Sequence, residues 1–428
     1  MKTWKKVLGT AVMAVGAVGL LAACGSSDKA ANKDKSDTVT VWAWDKTFNI
    51  KAMEEAVKVY DNKKVKVKIV EMTQDDIVQK LTTQLTSGSK DGLPDIVLVE
   101  DYRIQGFLKT NADAFEPLTD IVKEKDFAAY KFGVNKIGDK IYGVPFDSGV
   151  TGLFYRSDYL SEAGYTQEQM NNLTWDDYIK VARDVKAKTG HNITELNPSD
   201  LGRVRIMMQE AGEWYTDKDN KVSIAGNKSL AYGMGVLSTL LKEKLVTETS
   251  DWATGIKAIN GGVVASTPQG SWYSSTVKAQ ADQSGKWRIA KTPALPAGMG
   301  KAQASNSGGA QWYVLKGGAT KDAKDFLSKT FATNTDLMAT LAKEIGLIST
   351  MKSAINTEAY KTGDDFYGGQ KVREDFATWT TQIPQVNYGQ NTYQIESIMA
   401  EYLQQVVKGK DINDALKDAQ KRVESEIQ

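Results

Sequence analysis

Residues 38–99 alternate short β-type runs with amphipathic helical runs, and this order constrains the fold more than any other feature of the chain. Thr38 to Trp44 reads TVTVWAW, a β-branched and aromatic run suited to a buried strand. Asn49 to Tyr60 places Ile50, Met53, Ala56, Val57 and Tyr60 at helical spacing. Val65 to Glu71 alternates like a strand, Asp75 to Leu85 is amphipathic again, and Asp95 to Val99 is a short apolar strand. A β-α-β-α-β order predicts a mostly parallel sheet covered by helices, hence an α/β protein.

The chain then changes character. Gly138 to Phe146 predicts a hairpin leading into a strand at Thr151 to Tyr155. Thr174 to Lys188 predicts a long helix, with Thr174 and Asp177 as a capping box. Tyr215 to Ile224 reads as a hairpin. Gly262 to Ser266 and Trp312 to Leu315 read as short strands, and Asp322 to Ala332, Thr335 to Lys343, Gln394 to Val407 and Ile412 to Ile427 as helices. With 428 residues the chain is long enough for two cores.

Composition removes several chemistries. The 54 basic and 53 acidic residues are interspersed and leave a net charge of +1, which argues against nucleic acid as a partner. One cysteine and one histidine cannot assemble a Cys/His zinc site. Asp217, Asp219 and Lys221 imitate a calcium loop, but lysine stands at the fifth ligand position and the following glycine is missing, so no metal is expected. His191 lies in a loop without a G-x-S-x-G turn and is expected to be a solvent-exposed surface residue.

The single cysteine, Cys24, follows three lysines (Lys2, Lys5, Lys6) and an apolar run from Val7 to Ala23. A basic start, an apolar middle and small residues at the end make a secretory signal peptide over 1–23. The run is at the short limit of a membrane span, roughly 17–25 residues, and no later run reaches that length. Leu21-Ala22-Ala23-Cys24 resembles the lipobox of bacterial lipoproteins. That resemblance implies diacylglyceryl transfer to Cys24, cleavage before it, and a chain anchored at the outer face of the cell membrane. Residues 24–37 carry small and charged residues without apolar periodicity and read as a flexible tether.

Several stretches together resemble the extracellular solute-binding proteins of bacterial carbohydrate ABC transporters, the type related to maltose-binding protein. They are VTVWAW at 39–44, LPDIVLVED at 93–101, KIYGVPFDSGVTGLFYRSDYLSEAGY at 140–165, TWDDYIKVA at 174–182, TPQGSWY at 267–273 and SGGAQWYVLKGG at 307–318. The resemblance implies a two-lobe periplasmic-binding-protein-like fold of type II, with discontinuous lobes and a ligand cleft between them. The expected lobes are 38–146 plus 313–365 and 147–312 plus 366–428. The passages between them are expected at Phe146 to Gly152 and near Ser307 to Tyr313, where Gly149, Gly152, Gly308 and Gly309 serve either a hinge or close packing. It also implies a monomer without cofactor, a carbohydrate ligand of di- or oligosaccharide length, and a membrane permease as partner.

A sugar presents hydroxyls and apolar ring faces, so a cleft for it wants aromatic platforms beside carboxylates and amides. Ligands of parallel sheets bind beyond the carboxyl ends of the strands. Trp44, Asp45 and Phe48 follow the first strand, and Glu100 and Asp101 follow the strand at 95–99. Trp42 is expected in the core, and Asp45 has helix capping as a competing role. The resemblance adds Asp147, whose competing role is a salt bridge with Arg156, and Trp272 as an aromatic platform, flanked by Gln269 and Tyr273. Ser307 and Gln311 border the second passage. Gln370, Asn387 and Tyr388 offer amides and an aromatic ring in late loops. The rival readings are a secreted glycosidase, which needs two carboxylates about 5 Å or roughly 6.5–9.5 Å apart, a binder of a non-sugar solute such as a peptide, and a surface adhesin without a closing cleft.

Overall fold

The computed structural model describes residues 38–89 and 91–427; the leader, Cys24 and the tether lie outside the described residues. The strands of the two main sheets are β1 (Thr38–Ala43), β2 (Lys66–Glu71), β3 (Ile96–Glu100), β4 (Gly143–Pro145), β5 (Thr151–Arg156), β6 (Ser266–Gly270), β7 (Trp287–Lys291) and β8 (Ala310–Val314). The first sheet has the order β2-β1-β3-β8-β4 and the second β6-β5-β7. The expected parallel order holds for β2, β1 and β3; β8 is antiparallel to both β3 and β4, and the second sheet is antiparallel throughout.

Alternation along β1 explains how the first sheet is covered on both faces. Val39, Val41 and Ala43 point to one side, where they meet Met53 and Ala56 of helix Asn49–Val59 and Met338 and Leu341 of helix Thr335–Glu344. Trp42, only 6% exposed, points to the other side with Val97 and Tyr313, against Ile77 and Leu81 of helix Gln74–Ser87 and Ile104 and Leu108 of helix Asp101–Asn111. A sheet buried on both faces needs such near-continuous apolar strands. Around the second sheet, helices Trp175–Thr189, Gly202–Ala211, Lys228–Lys242, Thr392–Val407 and Ile412–Glu426 contribute Tyr178, Met207, Leu237, Met399 and Val423 to the same continuous core. The capping box at Thr174 is present: its side chain accepts from Asp177 N and the Asp177 carboxylate accepts from Thr174 N, each at 3.1 Å.

Three expectations change. The hairpin before β4 pairs Lys136–Ile137 with Lys140–Ile141, earlier than Gly138 to Phe146. The strand expected at Gly262 to Ser266 begins only at Ser266 and runs through Pro268 to Gly270. Pro268 is tolerated because β6 is an edge strand, pairing only with β5. β8 pairs with β3 from Ala310 onward, so Ala310 to Trp312 sit in the first sheet. In addition, the hairpin at Tyr215 to Ile224 reduces to a single bridge between Thr216 and Val222.

The chain passes between the sheets through segments that lie side by side. Ser307 N donates to Gly149 O at 2.7 Å, Thr151 N to Ser305 O at 3.0 Å, and Ser148 N to Ile348 O at 2.8 Å. The four glycines divide by role. A Cβ at Gly149 would meet Asn306 Oδ1 at 2.8 Å, and one at Gly152 would meet Ile289 and Phe376 at 2.9 Å, so these two serve close packing. Gly308 and Gly309 have φ of 75° and 85°, left-handed backbone that other residues rarely adopt. Among the described residues, no helix is long and apolar enough to cross a membrane.

Candidate functional site

Between the carboxyl ends of β1 and β3 and the turn after β6 lies a cavity of about 690 Å³. Trp44 enters it from the end of β1, half-buried, and Phe48 follows with its ring 5.9 Å from that of Phe146. Asp45 shapes the turn between them: its Oδ1 accepts from Thr47 N and Thr47 Oγ1, both at 2.8 Å, and from Phe48 N at 3.1 Å. These bonds close the turn ahead of helix Asn49–Val59, whose N-cap is Phe48 without a side-chain cap bond, so Asp45 does not take the helix-capping role; it lines the cavity.

Trp272 stands on the facing wall, in the 3₁₀ turn Ser271–Tyr273 directly after β6. Its indole Nε1 donates to Ser307 O at 2.8 Å, which fixes the ring plane. Trp252 lies beside it, ring centroids 5.7 Å apart at 43°, and is 53% exposed. The left-handed backbone at Gly308 permits this closeness, because a Cβ there would stand 3.3 Å from Trp272 Nε1. Sequence reasoning missed Trp252. It is the first residue of helix Trp252–Asn260, whose capping box of Asp251 and Thr254 was the available signal for an aromatic at a helix start.

Two carboxylates face the tryptophans. Glu100, at the end of β3, accepts from Tyr393 Oη at 2.7 Å and lies 3.4 Å from Arg103 Nε. Burial raises its pKa, against the pull of Arg103 and the Tyr393 hydroxyl. Asp147 is 4% exposed and accepts from Ala310 N at 2.7 Å. Arg156 pairs instead with Asp158 at 2.6 Å, so the competing salt bridge to Asp147 is absent. Burial pushes the Asp147 carboxyl up to about 6, with Lys131 and the Ala310 N–H pulling it partly back. In the unfolded chain an aspartate titrates near about 3.9. Between these values the native state keeps a proton the unfolded chain has released, so this contribution to stability is complete below about pH 4 and is lost as pH rises through about 6. Asp147→Asn is expected to remove that decline and to raise the stability of the unliganded protein at pH 7 by roughly 1–3 kcal/mol. Urea unfolding at pH 4.5 and 7.5 checks this; an unchanged difference between the two pH values rules it out.

A second cavity of about 390 Å³ continues from the first, sharing Gln74, Glu100, Trp252, Trp272 and Gly308. Gln269 and Ser307 line it, together with Arg203, Arg205 and Glu396, which the sequence did not single out. Both arginines are buried and paired, Arg203 with Glu195 and Arg205 with Glu396.

The remaining candidates do not reach either cavity. Asp101 is 1% exposed and pairs with Lys131 at 2.5 Å beneath the floor. Gln311 is fully buried in β8 and donates to Asp101 Oδ1 at 2.9 Å. Tyr273 is buried in the core, packed on Trp252 and Trp272. Gln370 is held by Ile289, accepting from its N–H at 3.0 Å and donating to its carbonyl at 2.7 Å. Asn387 donates to Asp217 O at 2.8 Å and Asn220 Oδ1 at 2.9 Å. Tyr388 is buried against Tyr102 and Trp214, and its hydroxyl accepts from Asn306 Nδ2. His191, expected to be exposed, stacks on Tyr159 at 3.9 Å.

Two sheets joined by adjacent strands, with aromatic rings and carboxylates in the gap, are the build of a two-lobe binding protein. Residues 43–368 match the family model of the bacterial extracellular solute-binding proteins, and the chain belongs to that family. It is 42% identical over 393 residues to the lactose-binding protein of Rhizobium radiobacter, covering 91% of this chain and 93% of that one. It is 26% identical over 321 residues to an arabinooligosaccharide-binding protein of Bacillus subtilis, covering 72% of each. Among solved structures it is similar to the ABC transporter associated binding protein of B. animalis subsp. lactis in complex with beta-1,6-galactobiose, with a TM-score of 0.74, 22% identity, and coverage of 91% of this chain and 97% of that one. The galacto-N-biose-/lacto-N-biose I-binding protein of Bifidobacterium longum superposes with a TM-score of 0.71 at 21% identity, covering 91% and 96%. These likenesses carry the two-lobe fold expected from the sequence. Family membership makes the chain a binding protein rather than an enzyme and places it outside the cytoplasm.

Proposed function

We propose that this chain captures a galactose-containing disaccharide in the paired cavities and hands it unchanged to the permease of an ABC importer. The observation that carries the reading is Trp272 and Trp252 standing side by side across one cavity from Glu100 and Asp147. Rings pack on the apolar faces of a sugar, and buried carboxylates accept from its hydroxyls through charge-assisted bonds. Trp44, Asp45, Phe48, Gln269 and Ser307 complete the proposed contact set. The name of the lactose-binding relative supports the galactoside class.

The proposed lobes are 38–146 with 310–365, and 147–309 with 366–428. The sugar touches both only when they approach, so it binds the closed form better and shifts the population toward it. The permease then reads the surfaces that closure brings into register. Cys24, freed by cleavage after Ala23, carries the lipid, and residues 24–37 tether a monomer to the membrane. The mass of the mature amino-terminal peptide tests this anchor; an unmodified Met1 end would overturn it.

Purified protein lacking the leader is expected to melt at higher temperature with lactose present, because ligand bound only to the native state stabilises it. The recovered sugar is expected to be intact. A melting curve unmoved by lactose and by other galactosides, but raised by peptides, would overturn the carbohydrate reading, as would turnover to monosaccharides.

A further inference from the structure

Tyr393 stands where the cleft ends. The two cavities described share five lining residues and run into each other. A third, of about 560 Å³, lies beyond, between helices Gln74–Ser87 and Asp101–Asn111 and the start of helix Thr392–Val407. It shares nothing with the first cavity and only Tyr102 and Tyr393 with the second. These two side chains are therefore the wall between the inner cleft and the outer groove.

The wall is fastened. Tyr393 Oη donates to Glu100 Oε2 at 2.7 Å, linking the helix at 392–407 to the end of β3. The Arg103 guanidinium lies 4.2 Å over the Tyr393 ring and that of Arg205 5.4 Å from it. Behind it, Gln105 Nε2 donates to Asn387 Oδ1 at 3.0 Å. A Cβ at Gly106 would stand 3.2 Å from Gln390 O, so the backbones abut there. Beyond the wall the groove presents Thr82, Thr86, Asn111, Gln390, Asn391 and Gln394, hydroxyls and amides of the kind that bind sugar.

We propose that the Tyr393–Glu100 bond is a length gate: it confines the ligand to two sugar rings in the inner cleft and keeps a longer chain from threading into the outer groove. This rests on the carbohydrate reading above. The bond joins the two proposed lobes, so the barrier is complete where they meet, and it discriminates by a clash with the third ring.

Calorimetry with lactose and with lactose extended by one and by two galactosyl units tests the gate on the leaderless protein. For the wild-type chain the two longer sugars are expected to bind at least about 30-fold more weakly than lactose. In Tyr393→Ala this ratio is expected to fall to about three-fold or less, and in Tyr393→Phe, which loses only the hydroxyl, to an intermediate value. The ratio is the readout, because Tyr393 also lines the inner cleft and the absolute affinities shift with it. Equal binding of all three sugars by the wild-type chain, or a ratio unmoved by Tyr393→Ala, overturns the gate and leaves the sugar reading standing. Binding of none of the three overturns the galactoside reading itself.

Discussion

Trp272→Ala is expected to weaken sugar binding by roughly 30- to 1000-fold, about 2–4 kcal/mol, the range for truncating an aromatic anchor at the centre of a binding site. Three features make this side chain the one with the largest effect. It lines both inner cavities, so a ligand occupying either meets it. Its indole is held by Ser307 O, so little conformational freedom is lost when a sugar stacks on it. It also supports Trp252, whose exposed ring packs on Trp272 and Tyr273 and would lose one of these two aromatic neighbours. The cost to the unliganded fold is expected to be about 1 kcal/mol, since the ring is half-buried and water in the open cavity can take over the Ser307 carbonyl. Trp272→Phe keeps a ring but not the N–H and is expected to retain part of the affinity. Titration calorimetry of both variants, with melting curves taken without ligand, separates binding from folding. Lactose affinity within three-fold of wild type in Trp272→Ala would remove this residue from the site.

Two of the candidates that the structure brings to the cavity share one property: their position follows from a strand end. Trp44 follows β1 and Glu100 ends β3, so the location of each strand located the side chain, whereas Trp272, after β6, was expected from the resemblance. Trp252 begins a helix, and which way a helix start faces depends on how the whole helix docks, which local periodicity does not carry. The amides misled for a related reason. Gln370 and Asn387 have the chemistry of sugar contacts, but their loops fold back on Ile289 and Asp217, and pairing across 81 and 170 residues leaves no local pattern. Strand direction was equally unreadable: β8 has the same apolar pattern whether parallel or antiparallel, and only its entry from the second passage sets it against β3.

Asp101 and Gln311 carry a different lesson, since a polar residue inside an apolar strand or at its end also marks a buried network. Lys131, fully buried between Tyr130 and Phe132 in sequence, donates to Asp101 Oδ2 at 2.5 Å, Asp147 O at 3.1 Å and Ala310 O at 3.3 Å. Gln311 bridges Asp101 Oδ1 and Lys131 O, and Asn135 donates in turn to Gln311 Oε1 at 2.6 Å. The cluster joins the end of β3, both passages between the sheets and the first residue of β8, directly under Asp147. Lys131→Met fills similar volume but leaves the Asp101 charge buried without its cation, a change expected to cost about 3–5 kcal/mol of folding stability at pH 7. Lys131→Met with Asp101→Asn is expected to recover most of it, since the amide keeps the acceptor for Gln311 without the charge. Urea denaturation of the single and double variants at pH 7 measures each step. A single variant within about 1 kcal/mol of wild type at pH 7 would show that the buried ion pair contributes nothing to the junction between the two sheets.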